Sequence, residues 1–217
     1  MLLKEGHVRI PSGCAISGFI NRKGKLISGS EIIKSITVMH DRSNGLGGGF
    51  AGYGIYPQYK DLYAFHIFYD NQKAKELTEE FINKHFEIEC LNNIETRKHP
   101  NIINQPIIMR YFLNPVQTKL KNSELDEREY VARCVVKINS EIDGAYVFSS
   151  GKNMGVFKAV GYPEDVGEFY RLEEYQGYSY ERIQGITSCS RYWWKIWRFS
   201  WRIPCRRHYY SFGAWYG

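Results

Sequence analysis

The sequence has no long apolar run, either at its N-terminus or further along. Lys4 and Glu5 place charges where a secretory signal requires an apolar stretch. No uninterrupted apolar segment approaches the ~18 residues that a membrane-spanning helix needs. These absences predict a cytoplasmic protein without a membrane span.

Cysteine is sparse and never occurs as a Cys-x-x-Cys pair. An odd number of widely spaced cysteines argues against a disulfide framework and against a zinc site. We therefore expect no metal and no cofactor. The five cysteines are Cys14, Cys90, Cys134, Cys189 and Cys205.

Tryptophan is absent before residue 193, and acidic residues are scarce after residue 175. Residues 176–217 contain all five tryptophans, seven arginines and lysines, and a single acid, Glu181. Subtracting these from the totals of 29 basic and 23 acidic residues leaves 22 of each in residues 1–175. The whole net charge of +6 therefore lies in the tail, and a compositional boundary is predicted near residue 175.

Apolar spacing predicts a mixture of strands and helices in no regular alternation, which favours an α+β fold. A strand is expected over Cys14–Ile20, and Ser28 with Glu31 suggests a capping box for the helix that follows. Further strands are predicted over residues 63–69, 86–95, 106–113, 145–149 and 156–160, the last two as a pair. Helices are predicted over residues 72–85, with Leu77 and Phe81 buried, over 124–142, and over 163–169.

Two residues invite a catalytic interpretation, and one glycine-rich segment suggests a phosphate loop. Cys14 opens an apolar strand, where a lone cysteine is most often a small core residue. His40 could partner Cys14 as in papain-like proteases, although a structural role at the end of its helix is favoured. The glycines of residues 45–54 lack the Gly-Lys-Ser/Thr ending of a phosphate loop, which favours close backbone contacts beside a strand.

The surroundings of Cys14 favour the catalytic interpretation, because four segments together resemble one family. They are Cys14-Ala-Ile-Ser-Gly-Phe-Ile20, His40 to Tyr56 with its glycines, Val147-Phe-Ser-Ser-Gly-Lys-Asn-Met-Gly155, and Gly161-Tyr-Pro-Glu-Asp165. Residues 14–175 thereby resemble a class II, or N-terminal-nucleophile, glutamine amidotransferase domain. The resemblance is to the stand-alone amidotransferase domain of archaeal-type glutamate synthase. Ala15 stands where family members more often carry glycine.

The resemblance implies that Cys14 is the nucleophile and that glutamine is the substrate. It also implies that residues 1–13 are a leader whose removal frees the α-amino group of Cys14 to act as base. Other glutamate synthase-like subunits would be the partners. The implied fold is a four-layer αββα sandwich, incomplete on its C-terminal side, with residues 57–140 as an inserted α/β portion.

The sequence departs from the family after Tyr178. Family members carry there a His-Gly-Arg-x-x-Thr motif, whose arginine holds the glutamine carboxylate, and later a His-Asn-Gly motif that forms the oxyanion hole. Both are missing, and His208 is the sole histidine beyond residue 99. Because each lost oxyanion donor costs about 10²–10³ in rate, we expect this chain to be weak or inactive.

Three interpretations of the tail, residues 176–217, remain open. Arginines interleaved with aromatic residues suit nucleic acid, or a membrane surface, in a non-catalytic binding protein. We prefer a third, an out-of-frame tail, so nucleic acid is not the favoured partner. The tryptophan codon TGG shifted by one base begins GGN, which encodes glycine. The tryptophans at 193, 194, 197 and 201 would then become glycines, as in the glycine-rich C-terminal domain of glutamate synthase.

Overall fold

A computed structural model describes residues 15–42, 45, 47–103 and 105–184, with the backbone alone for 181–184. The helices are α1 (Ser30–Thr37), α2 (Gln72–His85), α3 (Gln117–Ser123), α4 (Glu127–Glu141) and α5 (Pro163–Phe169). The strands are β1 (Ala15–Ile20), β2 (Ile27–Ser28), β3 (Gly48–Tyr53), β4 (Tyr63–Tyr69), β5 (Phe86–Asn93), β6 (Ile107–Pro115), β7 (Ala145–Lys152), β8 (Met154–Ala159), β9 (Gln176–Gly177) and β10 (Ser179–Gln184).

The strands form two four-stranded antiparallel sheets and one short ribbon. The first sheet has the order β1-β10-β3-β8, the second has the order β5-β6-β4-β7, and the ribbon joins β2 to β9. Antiparallel pairing with helices outside the sheets confirms the α+β class. Residues 57–140 supply three of the four strands of the second sheet.

Strand β4 is buried along its whole length and divides the core in two. Tyr63, Phe65, Ile67 and Tyr69 face α2 and α4 in one hydrophobic cluster. Ala64 and Phe68 join the other cluster, which includes buried residues of the first sheet, α1 and α5. The second sheet thus has helices on one face and packs with the rest of the molecule through the other. Helices α1 and α5 contact the first sheet.

Polar side chains join the two sheets where β7 turns into β8. The chain reverses at Asn153, with φ +49°, so the strands predicted at 145–149 and 156–160 are both present. They are not paired with each other, however: β7 pairs with β4 and β8 with β3. Ser149 Oγ accepts a hydrogen bond from Val156 N at 3.1 Å, and His66 Nδ1 donates to Val156 O at 2.7 Å.

The predicted helices at 72–85 and 163–169 are confirmed with these bounds. The capping box is wrong, because Gly29 is the N-cap of α1 and the Ser28 hydroxyl accepts from Ser30 N instead. Leu77 is also misassigned: it is 44% exposed, and the buried face of α2 is formed by Ala74, Thr78 and Ile82. The single helix predicted over 124–142 is confirmed as α4, but α3 before it was missed.

The fold continues beyond the compositional boundary at residue 175. Strand β9 pairs with β2, and β10 lies between β1 and β3 in the first sheet. Within the part of the chain that the structure describes, β1 has a neighbour on one side alone. Its outward residues Ile16 and Ile20 are 66% and 67% exposed.

Candidate functional site

The first sheet has an end at which four strand termini meet. Ala15 at the start of β1 pairs with Gln184, Gln184 pairs with Gly48 at the start of β3, and Gly48 pairs with Ala159 at the end of β8. Cys14, the predicted nucleophile, lies outside the described residues. Ala15, the next residue, is buried at 3% exposure, so the strand that follows Cys14 opens inside the core at this sheet end.

The glycines of β3 serve close backbone packing, as the sequence predicts. A Cβ atom on Gly49 would lie 2.6 Å from Phe157 O, and one on Gly52 would lie 2.9 Å from Ile55 and Tyr180. Both distances are shorter than any Cβ contact tolerates, so neither position admits a side chain without movement. Ser43, Asn44 and Leu46, within the same resemblance, lie outside the described residues.

His40 lies in a 3₁₀ turn after α1 and contacts residues from the start of α5. Its Nδ1 is 2.5 Å from Glu164 Oε1, and its ring stacks on Tyr162 at a centroid distance of 4.4 Å. A Cβ on Gly45 would lie 3.1 Å from the Tyr162 ring. The His40, Gly45 and Gly161–Asp165 parts of the resemblance therefore meet in space. The structural contacts of His40 are with a carboxylate and an aromatic ring.

The sequence interpretation missed a chain of polar groups buried between the sheets. The Tyr56 hydroxyl lies 2.8 Å from His66 Nε2, and His66 Nδ1 lies 2.7 Å from Val156 O. Because a carbonyl can only accept, His66 carries its proton on Nδ1, and Tyr56 donates to Nε2. Burial lowers the pKa of His66 to about 3, which keeps the imidazole neutral.

Arg110 extends this chain from the neighbouring strand. It is the register partner of both His66 on β4 and Asn92 on β5. Its Nη1 donates to the hydroxyls of Tyr56 and Tyr175 at 3.3 and 3.4 Å, and its Nε donates to Asn92 Oδ1 at 3.0 Å. The sequence gives one signal for this chain of polar groups, a histidine and an arginine inside apolar strands. That the two residues pair with each other could be known only from the order of the strands in the sheet.

The described residues contain no cluster of three or more His, Cys, Asp or Glu side chains placed to hold a metal ion. Across the same residues no helix is long and apolar enough to cross a membrane. The interpretations of the tail concern residues 176–217. Residues 185–217 lie outside the described part of the chain.

No protein-family model matches the chain. The chain is similar to an uncharacterized protein of Archaeoglobus fulgidus, with 41% identity over 184 residues. The match covers 83% of this chain and 48% of that protein. The chain therefore spans about half the length of the curated relative that it matches.

Proposed function

We propose that the chain is the front part of a class II glutamine amidotransferase domain, with Cys14 as the nucleophile that releases ammonia from glutamine. One observation carries the proposal. The segments that resemble the family are distant in sequence, yet two of them supply β1 and β3 of the first sheet. The third, Val147–Gly155, forms most of β7 in the second sheet and crosses at Asn153 into β8, which pairs with β3. The fourth, Gly161–Asp165, leads into α5 and contacts the turn that holds His40.

Two features support the finer fold assignment, a four-layer αββα sandwich of the N-terminal-nucleophile type. The second sheet has helices on one face and the first sheet on the other, and α1 and α5 contact the first sheet. Ile16 and Ile20 are exposed on β1, which has one neighbouring strand among the described residues and therefore leaves room for a further element beside it.

The proposed reaction proceeds in two steps. With Cys14 as first residue, its α-amino group, of reference pKa about 7.7–8.0, takes the thiol proton. The thiolate attacks the side-chain amide carbon of glutamine, a C–S bond forms, and the C–N bond breaks. The leaving nitrogen takes the proton from the α-ammonium group and departs as ammonia. Water then cleaves the thioester, which yields glutamate and restores the thiol.

Ammonia release from L-glutamine tests this function directly. A chain beginning at Cys14 should release ammonia slowly, because the glutamine clamp and oxyanion donors of the family are missing. The Cys14→Ala variant and the chain that retains residues 1–13 should release none. Equal release by the chain with its leader would contradict the role of the free α-amino group.

The out-of-frame interpretation of the tail has a separate test. Sequencing the DNA across codons 170–217 and downstream should reveal a shifted frame that continues in glycine-rich sequence. If the frame is intact, the tail is genuine, and binding to nucleic acid and lipid vesicles becomes the measurement for the alternative function.

A further inference from the structure

Arg110 is a partly buried cation without an anionic partner among the described residues. Its three hydrogen bonds all go to neutral acceptors: Asn92 Oδ1, the Tyr56 hydroxyl and the Tyr175 hydroxyl. Burial raises the pKa of both phenols, so neither neutralises the guanidinium at neutral pH. Its other terminal nitrogen, Nη2, makes no hydrogen bond within the described part of the chain. The guanidinium stays charged when it is buried, because arginine does not lose its proton in proteins.

Arg110 lines a cavity of about 320 Å³. That volume is at the lower end for small-molecule sites, and it suits a small metabolite better than a nucleotide. Asn93 and the aromatic Tyr170 also line the cavity. The Arg110 guanidinium, which has no anionic partner among the described residues, therefore faces a polar cavity.

The rim of the cavity has the opposite charge excess. Arg171 is paired there with two carboxylates, Glu95 at 2.6 Å and Glu174 at 2.6 Å. Two carboxylates against one guanidinium leave one negative charge in excess at the rim. Arg171 is held with φ +52°, a left-handed conformation that is costly for a residue with a side chain.

The cavity lies at the opposite edge of the first sheet from β1, the strand that follows Cys14. It adjoins β8, because the Tyr170 hydroxyl donates to Lys158 O at 2.7 Å and the Tyr175 ring packs on Phe157. Three inter-strand spacings, about 14 Å in all, separate β8 from β1 in the first sheet. A ligand in this cavity would not occupy the position next to the proposed nucleophile.

We infer that this cavity binds a free amino acid, with the ligand carboxylate on Arg110 and its ammonium group towards Glu95 and Glu174. This charge pattern favours a zwitterion. The Arg110 guanidinium inside the cavity attracts a carboxylate, and the carboxylate in excess at the rim attracts an ammonium group. The N–H groups of Nη2 remain to donate to the ligand, and a hydrogen bond between a guanidinium and a carboxylate is strengthened by the charge on both groups. The inference does not depend on the proposed amidotransferase activity.

The Asn92→Asp variant tests the part played by Arg110 with little risk to folding. The substitution is isosteric and places a carboxylate on the atom that Arg110 Nε now contacts. We expect it to raise the melting temperature and to weaken amino-acid binding by at least about tenfold. Asn114→Asp, at an exposed position on the same strand as Arg110, adds the same charge and should leave binding unchanged.

The experiment screens the twenty standard amino acids by ligand-observed NMR against the full chain with Cys14→Ala. That background keeps the result independent of glutamine hydrolysis. The tightest amino acid is then compared with its two analogues, one without the ammonium group and one without the carboxylate. Both analogues should bind at least about tenfold more weakly.

Glu174→Gln should weaken the binding of the amino acid and leave the binding of the analogue without ammonium unchanged. Glu129→Gln alters a similar exposed ion pair, with Arg133 on α4. This control should change neither of the two affinities. The inference is overturned if no standard amino acid binds. It is also overturned if the analogue without ammonium binds as tightly as the amino acid, or if Asn92→Asp leaves binding intact.

Discussion

The Tyr56 hydroxyl donates a hydrogen bond to His66 Nε2 at 2.8 Å and accepts one from Arg110 Nη1 at 3.3 Å. His66 Nδ1 in turn donates a hydrogen bond to Val156 O in the first sheet. A single directed chain of hydrogen bonds thus runs from the arginine to the junction of the two sheets. All of its members are neutral except the arginine at its start.

Tyr56→Phe should lower the free energy of unfolding by about 1–3 kcal/mol, because it leaves the buried His66 Nε2 without a donor. Chemical denaturation measures this change. Tyr63→Phe is the matched control: its hydroxyl donates to Glu127, which is partly exposed and also paired with Lys152. That substitution should cost less, and equal costs would contradict the special position of Tyr56.

His66 should make stability depend on pH. Its pKa falls from 6.5 to about 3 on folding because burial disfavours the charged ring. The unfolded chain therefore binds one more proton between these values, so this contribution is present above pH 6.5 and is lost as the pH falls towards 3. The expected slope is about 1.4 kcal/mol per pH unit.

His66→Asn isolates this contribution, because asparagine keeps a donor but does not titrate. The difference in unfolding free energy between wild type and variant should narrow as the pH falls from 6.5. A difference that stays constant over that interval would show that His66 is accessible to protons in the folded state.

Gly155→Ala should disturb the same junction through steric overlap. A Cβ there would lie 2.6 Å from His66 Cε1 and 3.0 Å from the Tyr56 hydroxyl. We expect a loss of about 1–3 kcal/mol in unfolding free energy, together with a rise in the pKa of His66 observed by NMR. Gly24→Ala, where φ is +69° and the space is open, should cost only the backbone strain, about 1 kcal/mol.

Local structure was predictable where one physical signal dominates. The bounds of α5 follow from Pro163 at its first turn, and β4 follows from a run of aromatic and β-branched residues. The N-terminus of α1 was not predictable from Ser28, because that hydroxyl also donates to Glu173 O, 145 residues away. Long-range contacts of this kind leave no local pattern.

The site was predictable in part for the same reason. The close packing of the β3 glycines was predictable, since a lack of side chains is a local property. Cys14 stands out as a reactive residue type, and its role stays a prediction. The convergence of His66, Arg110 and Asn92 depends on strand order and register. The separation of β7 and β8 into different sheets also depends on packing, since their sequences match an ordinary hairpin.

Covalent labelling of Cys14 by a diazoketone analogue of glutamine tests the central claim most directly, because it requires a nucleophile and not a complete oxyanion hole. Cys134 is an internal control, since burial raises the pKa of its thiol to about 11. In a chain that begins at Cys14, peptide mapping by mass spectrometry should find the adduct on Cys14, with labelling slowed by excess glutamine. The absence of an adduct on Cys14, or equally fast labelling in a chain that retains residues 1–13, would contradict the account.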